Sequence, residues 1–267
     1  MIYAPIASLL RARAQRDKRH GFTLMELLVV VSIIAILAAL LLPVLNKAKA
    51  SAQRTLCLNN VKQITLGVRM YSDDSSDKAP LPGDMITNHS SIRSGYKKLI
   101  QSYVGVQGTS PPQARLFSCP ADTFFYVFTN SFDFEPFNEP RHNQSFSDFS
   151  SYGFNGGNLV GGLNRFGVDA THYGIAGRTI SSIRNPVKTI LIAEAPAFDP
   201  FSWHDPKRPF SDENSRFNDA KNMVGFVDGH VSYIKIYFTN TFAMNGTHLP
   251  ACFINPPPEY DYQWSGD

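Results

Sequence analysis

Gly21-Phe22-Thr23-Leu24-Met25-Glu26 leads into LLVVVSIIAILAALLLPVL, Leu27–Leu45, a run with no charge and with Ser32 as its single polar residue. Coiled as a helix, Phe22–Leu45 measures about 36 Å, more than the roughly 30 Å of a bilayer's hydrocarbon core. The run is too long for the roughly 7–15-residue core of a secretory signal, and no small-x-small cleavage site follows it. A transmembrane helix is the expectation. Ahead of the run stand Arg11, Arg13, Arg16, Lys18 and Arg19 against Asp17, and they outweigh Lys47 and Lys49 behind it. That asymmetry places the N-terminus in the cytoplasm and the remainder outside. Glu26 does not suit a plain anchor. A carboxylate costs roughly 2.5–3.5 kcal/mol at the bilayer centre, and less near the end of a span. No Lys, Arg or His occurs later in the run to pair with it, so a partner from elsewhere is expected.

The segment GFTLMELLVVVSIIAILAALLLP, behind its basic leader, resembles the cleavage and methylation motif of type IV prepilins and type II secretion pseudopilins. The resemblance implies cutting by a prepilin peptidase between Gly21 and Phe22, on the cytoplasmic side, and N-methylation of Phe22. It implies that Glu26 is the buried glutamate of the filament core and that other pilin-like subunits are the partners of the N-terminal helix. A neighbour's N-terminal ammonium would then neutralise Glu26 in lipid, two expensive charges cancelling together. Glycine at position 21 suits a peptidase cleft that needs an extended backbone. Pro43 matches the proline that such helices often carry late in the span; it removes one helical hydrogen bond and is expected to kink or loosen the helix.

Outside this segment the composition is that of a globular protein: 267 residues, 43% hydrophobic, 18% charged, formal net charge +3. Much of the basic excess sits in the leader. No basic stripe elsewhere suggests nucleic acid. Beyond Leu45, Cys57, Val61, Ile64, Val68 and Tyr71 recur at helical spacing, with Asn59, Asn60, Lys62, Gln63 and Arg69 on other faces. This predicts an amphipathic continuation that ends in the DDSSD stretch, Asp73–Asp77, before Pro80 and Pro82. Strands are expected at Thr189–Ala193, Val224–Val227 and Val231–Ile236, with Asp228-Gly229 as a hairpin turn. Ser145 to Gly167 reads as loop. The expected class is α+β and pilin-like, a long N-terminal helix followed by a loop-rich head with a small antiparallel sheet. The expected divisions are a cytoplasmic leader at 1–21, a transmembrane helix at 22–45, its amphipathic continuation at 46–72, and an extracytoplasmic head with a Pro-rich C-terminal tail at 73–267.

The head carries a second resemblance. CLNNVKQITLGVRMYSDD (Cys57–Asp74), FSCPAD (Phe117–Asp122), SYGFN (Ser151–Asn155) and VGFVDGHVSYI (Val224–Ile234) resemble a branch of prepilin-like proteins with a C-terminal His-x9-Asp-Gly motif. Asp228-Gly229 is present, but Asn218 stands where that motif has His. Cys57, Cys119 and Cys252 allow three pairings, each leaving one thiol over. The resemblance favours Cys57–Cys119, because both lie in segments like those of the branch whereas Cys252 does not. A zinc site is not expected, since paired-cysteine spacing is absent.

Asp228 and His230 lie two apart, a spacing that turns both to one face of a strand, yet Asp-Gly is first of all a hairpin sequence. Calcium would draw on Asp73, Asp74 and Asp77, or on Asp212 and Glu213, but neither group has the spacing of a calcium loop. Aromatic residues are read chiefly as core. With no nucleophile elbow, phosphate loop or metalloprotease helix, the expectation is a non-enzymatic filament subunit in the inner membrane, part of a periplasmic or surface filament, with no cofactor. The alternative is a membrane-tethered binding protein or adhesin that uses the prepilin signal for export.

Overall fold

A computed structural model describes residues 22–81, 95–107, 114–128, 134–156, 174–198, 201–206, 219–237, 240–242, 248–250 and 255–267. Gly21, Cys252, Asn218, Asp212 and Glu213 lie outside the described residues. The chain divides into two units, Met1–Ala48 and Lys49–Asp267. The second half of the helix, from Lys49, belongs to the same unit as the head.

Helix α1 runs Leu24–Asp74 and continues through Pro43. In the first unit every residue from Phe22 to Ala48 is exposed. The helix is long and apolar enough to cross a membrane, by length and composition. Its N-terminus is a capping box: Glu26 N–H donates to Thr23 Oγ1 at 3.2 Å, while Glu26 Oε2 accepts from Thr23 N at 2.9 Å and from Thr23 Oγ1 at 2.8 Å. Glu26 thus has a local hydrogen-bond partner in Thr23, a residue without charge.

In the second unit the stripe Cys57, Val61, Ile64 and Val68 is fully buried, and Tyr71 packs partly against the same core. The polar residues between them reach the head: Asn60 Nδ2 donates to Ser118 O and to Tyr152 Oη, and Arg69 donates to Val227 O at 2.7 Å. The helix ends as its sequence suggests. Asp77 N–H donates to Ser72 O, and Ser76 and Asp77 both take positive φ. Such an end closes off free helix carbonyls.

Strands β1 (Phe125–Phe128) and β2 (Phe134–Phe137) form a two-stranded antiparallel pair. The principal sheet contains β3 (Tyr152–Phe154), β4 (Ile190–Glu194), β5 (Ala220–Phe226) and β6 (Val231–Ile236), antiparallel in that order. β7 (Asn240–Phe242) and β8 (His248–Pro250) make a further pair. The expected hairpin is present, with Gly229 at φ 95 in its turn. One expectation needs correction. Ser145–Gly167 is not loop throughout, since Ser145–Ser147 is a 3-10 turn and Tyr152–Phe154 a strand.

Both faces of the sheet are covered. Leu191, Ile192, Met223 and Val227 belong to the core shared with α1, whereas Ile190, Ala193, Val224, Phe226 and Ile236 join Phe198, Tyr262 and Trp264. The end of the C-terminal tail is therefore structural. Ile190 N–H donates to Gln263 O, and Asn255 Oδ1 accepts from both Trp264 N and Ser265 N. Beside α1, Lys97 of the short helix α2 (Tyr96–Ile100) is buried, donates to Asp148 O at 2.7 Å and lies over the Phe117 ring. Burial pushes its amine below the usual lysine range.

Candidate functional site

Regular alternation would put Ile190 and Glu194 on one face of β4, since they are four residues apart. The register shifts between Ile190 and Ile192 as β4 pairs with β5. That bulge turns the rest of the strand over. Ile190 faces the tail, while Glu194 points toward the face that carries Cys57. There Glu194 is fully buried; its Oε2 accepts Met223 N–H at 2.9 Å and its Oε1 lies 2.9 Å from His204 Nε2. A buried carboxylate needs such partners, because an unpaired one is driven to neutralise.

His204 sits in residues 201–206, which are tied to the head at several points. Trp203 Nε1 donates to Phe124 O at 2.6 Å, Ser202 Oγ to Lys221 O, and Asn222 Nδ2 to Phe201 O. From α1, Arg54 donates to His204 O and Gln53 to Pro120 O, so one turn of helix holds both loops that flank the site. Cys57 and Cys119 are joined in a disulfide with Cα atoms 5.5 Å apart, within the range a bridge requires. Cys119 Sγ lies 3.5 Å from Glu194 Oε1 and 3.5 Å from His204 Nε2. Cys57, Cys119, Glu194 and His204 thus place one ligand atom each within 4.8 Å of one another. Burial, with Glu194's charge second, raises Tyr152's hydroxyl well above the usual tyrosine range.

Two other groups look chemical and are structural in their geometry. Asp122 is buried and accepts from Arg141 N, His142 N, His142 Nδ1 and Ser151 Oγ, at 2.7 to 2.9 Å. A serine, a histidine and an aspartate meet here, but Ser151 and His142 both spend their protons on the same carboxylate. Ser151 Oγ also lies 3.4 Å from His142 Nδ1, so serine and imidazole share one carboxylate instead of standing in the serine–histidine–carboxylate order of a hydrolase relay. Asp228 Oδ1 accepts from His230 N at 3.1 Å and lies 2.6 Å from His230 Nδ1, while the imidazole stacks on Phe226 at 4.2 Å. The aspartate caps its own turn and the pair is partly exposed. Of the carboxylates named for calcium, Asp74 accepts from Tyr103 Oη and Asp77 from Ser181 N.

Of the residues singled out in the sequence, Cys57 and Cys119 meet at this site, whereas Asp228 and Gly229 form the hairpin turn. Glu194 and His204 were not foreseen. Glu194's signal was a carboxylate closing an otherwise apolar strand, TILIAE.

The N-terminal segment defines a class. The model of the prokaryotic N-terminal methylation motif matches residues 16–42, so the chain is prepilin-like in this region. Over 61 residues of its N-terminal region it is 39% identical to the type II secretion system core protein G of Pseudomonas aeruginosa, a match covering 23% of this chain. The match takes in 43% of that protein's length. No solved structure matches the chain.

Proposed function

We propose that the protein is a subunit of a type IV pilus-like or type II secretion pseudopilus filament, cut by a prepilin peptidase after Gly21 and assembled through its N-terminal helix. The observation that carries this reading is the apolar helix with Glu26 in its first turn, coinciding with the methylation motif at residues 16–42. In this reading the leader is cytoplasmic, Phe22–Leu45 holds the precursor in the inner membrane, and the head lies outside. After cleavage, burial of the exposed apolar side chains against those of other subunits replaces their burial in lipid. Membrane and filament core are alike in offering no water to Leu, Ile and Val.

A second reading, a tethered binding protein or adhesin, draws support from the confinement of the curated match to the N-terminal region. The two differ in where the mature chain is found. Shearing cells and quantifying the chain in sheared and membrane fractions tests them. A filament subunit enters the sheared fraction together with other pilin-like chains. Its confinement to the membrane fraction, in cells that build the filament, would favour the tethered binder.

A further inference from the structure

Four potential ligand atoms gather at Cys119 in the disulfide state. Two sulfurs without protons and a fully buried carboxylate oxygen converge with a single imidazole nitrogen. Cys119 Sγ, 3.5 Å from Glu194 Oε1, has no proton to donate to it. His204 Nε2 lies 2.9 Å from that carboxylate oxygen, and the two side chains are 2% and 0% exposed, so the cluster is dry. Sulfur, imidazole nitrogen and carboxylate oxygen gathered within 4.8 Å of one another in a dry space are the atom types that a borderline-soft cation takes as ligands.

We propose that Cys57, Cys119, Glu194 and His204, when the cysteines are reduced, form a four-ligand site for a zinc-class divalent cation. Two thiolates, an imidazole and a carboxylate suit a borderline-soft ion that favours four-coordination. With bond lengths of about 2.0–2.3 Å, tetrahedral ligand atoms stand about 3.3–3.8 Å apart, and Cys119 Sγ already lies 3.5 Å from both Glu194 Oε1 and His204 Nε2. The outer contacts that orient such ligands are also in place. Met223 N–H holds the second oxygen of Glu194, Ser151 Oγ accepts from Cys119 N, and Arg54 holds the His204 carbonyl.

Disulfide and metal use the same sulfurs, so the two states exclude each other. A dithiol reductant supplies two electrons and two protons, breaks the Cys57–Cys119 bond and is itself oxidised to a disulfide. The cation then displaces the two thiol protons, which leave to solvent. The site joins α1 to the end of β4 and to two loops, so the metal would brace the same elements as the bridge. Absence of paired-cysteine spacing in sequence is no obstacle, because four separate segments each contribute one ligand.

The test uses the full chain in detergent, reduced anaerobically with a dithiol that is then removed, and titrated with Co2+ and with Zn2+. The expected result is one equivalent bound per reduced chain, a thiolate-to-cobalt charge-transfer band, and no stoichiometric uptake by the oxidised chain. Cys57→Ser should abolish the band, and His204→Gln and Glu194→Gln should each weaken binding at least tenfold. Cys252→Ser should change nothing. The proposal is overturned if the reduced chain keeps its circular dichroism and binds neither ion, or if it unfolds on reduction and Zn2+ does not restore it. Equal uptake by the oxidised chain, or uptake indifferent to Cys57→Ser, would overturn it too. The comparison of oxidised and reduced wild type remains decisive if a variant fails to fold.

Discussion

Glu26→Ala is expected to leave the chain cleaved, inserted and folded while reducing its recovery in sheared filaments at least tenfold. Removing an intramembrane carboxylate makes insertion easier, so loss of the anchor would not explain a loss of assembly. The capping box offers a competing cause, since Glu26 Oε2 binds Thr23 N and Thr23 Oγ1. A cap is worth about 1 kcal/mol of helix stability. Two further variants separate cap from charge. Glu26→Gln keeps an oxygen acceptor for the Thr23 donors but loses the charge, whereas Thr23→Ala loses the hydroxyl and keeps the carboxylate. If Glu26 pairs with a neighbour's N-terminal ammonium, Glu26→Gln should assemble poorly and Thr23→Ala should assemble. The reverse order would assign the residue to helix capping alone.

Gly225→Val is expected to be the most damaging single substitution in the head. A Cβ at position 225 would overlap Thr65 Oγ1 and meet Val61 Cγ1 at 3.2 Å, where α1 crosses β5. Neither helix nor central strand can move away cheaply, because Val61, Ile64 and Val68 are fully buried against the core. Overpacking of this kind costs about 3 kcal/mol, or roughly 6–12 °C in Tm for a unit of this size. Gly225→Ala meets the same hydroxyl and should cost less. Thr65 supplies the internal control. Its Oγ1 is buried and has no hydrogen-bond partner among the described residues, so Thr65→Ala should be close to neutral. Because Thr65→Ala removes the atom that clashes, the double variant with Gly225→Ala should melt well above the sum of the single effects. Strict additivity in thermal melts of the detergent-solubilised chain would contradict the packing described.

The helix was legible because one physical pattern governed it at each point. Apolar residues run without interruption from Leu27 to Leu45, and Cys57, Val61, Ile64 and Val68 then keep to one face. The hairpin was legible because Asp228-Gly229 is a local turn, fixed by its own two residues. Glu194 was not legible, since a bulge between Ile190 and Ile192 reversed the face on which it stands. No alternation rule recovers a residue inserted out of phase. His204 lies in Trp-His-Asp, a segment without periodicity, held by bonds to partners at long sequence distances. Tyr152–Phe154 escaped because three residues including a glycine carry too little pattern for a strand. The packing of the Pro-rich tail was not legible because its residues carry no helical or strand period, while Tyr262 and Trp264 insert into the sheet's second face. The pairing of Cys57 with Cys119 came from the resemblance of their segments to other proteins, since spacing alone left three choices.

The most direct measurement is the intact mass of the chain recovered from a sheared filament fraction. If the protein is a processed filament subunit, that mass corresponds to a chain beginning at Phe22 with a methylated amine, and an N-terminal peptide confirms it. A chain that still begins at Met1 in cells with an active prepilin peptidase, or one cut beyond residue 40, would contradict the account.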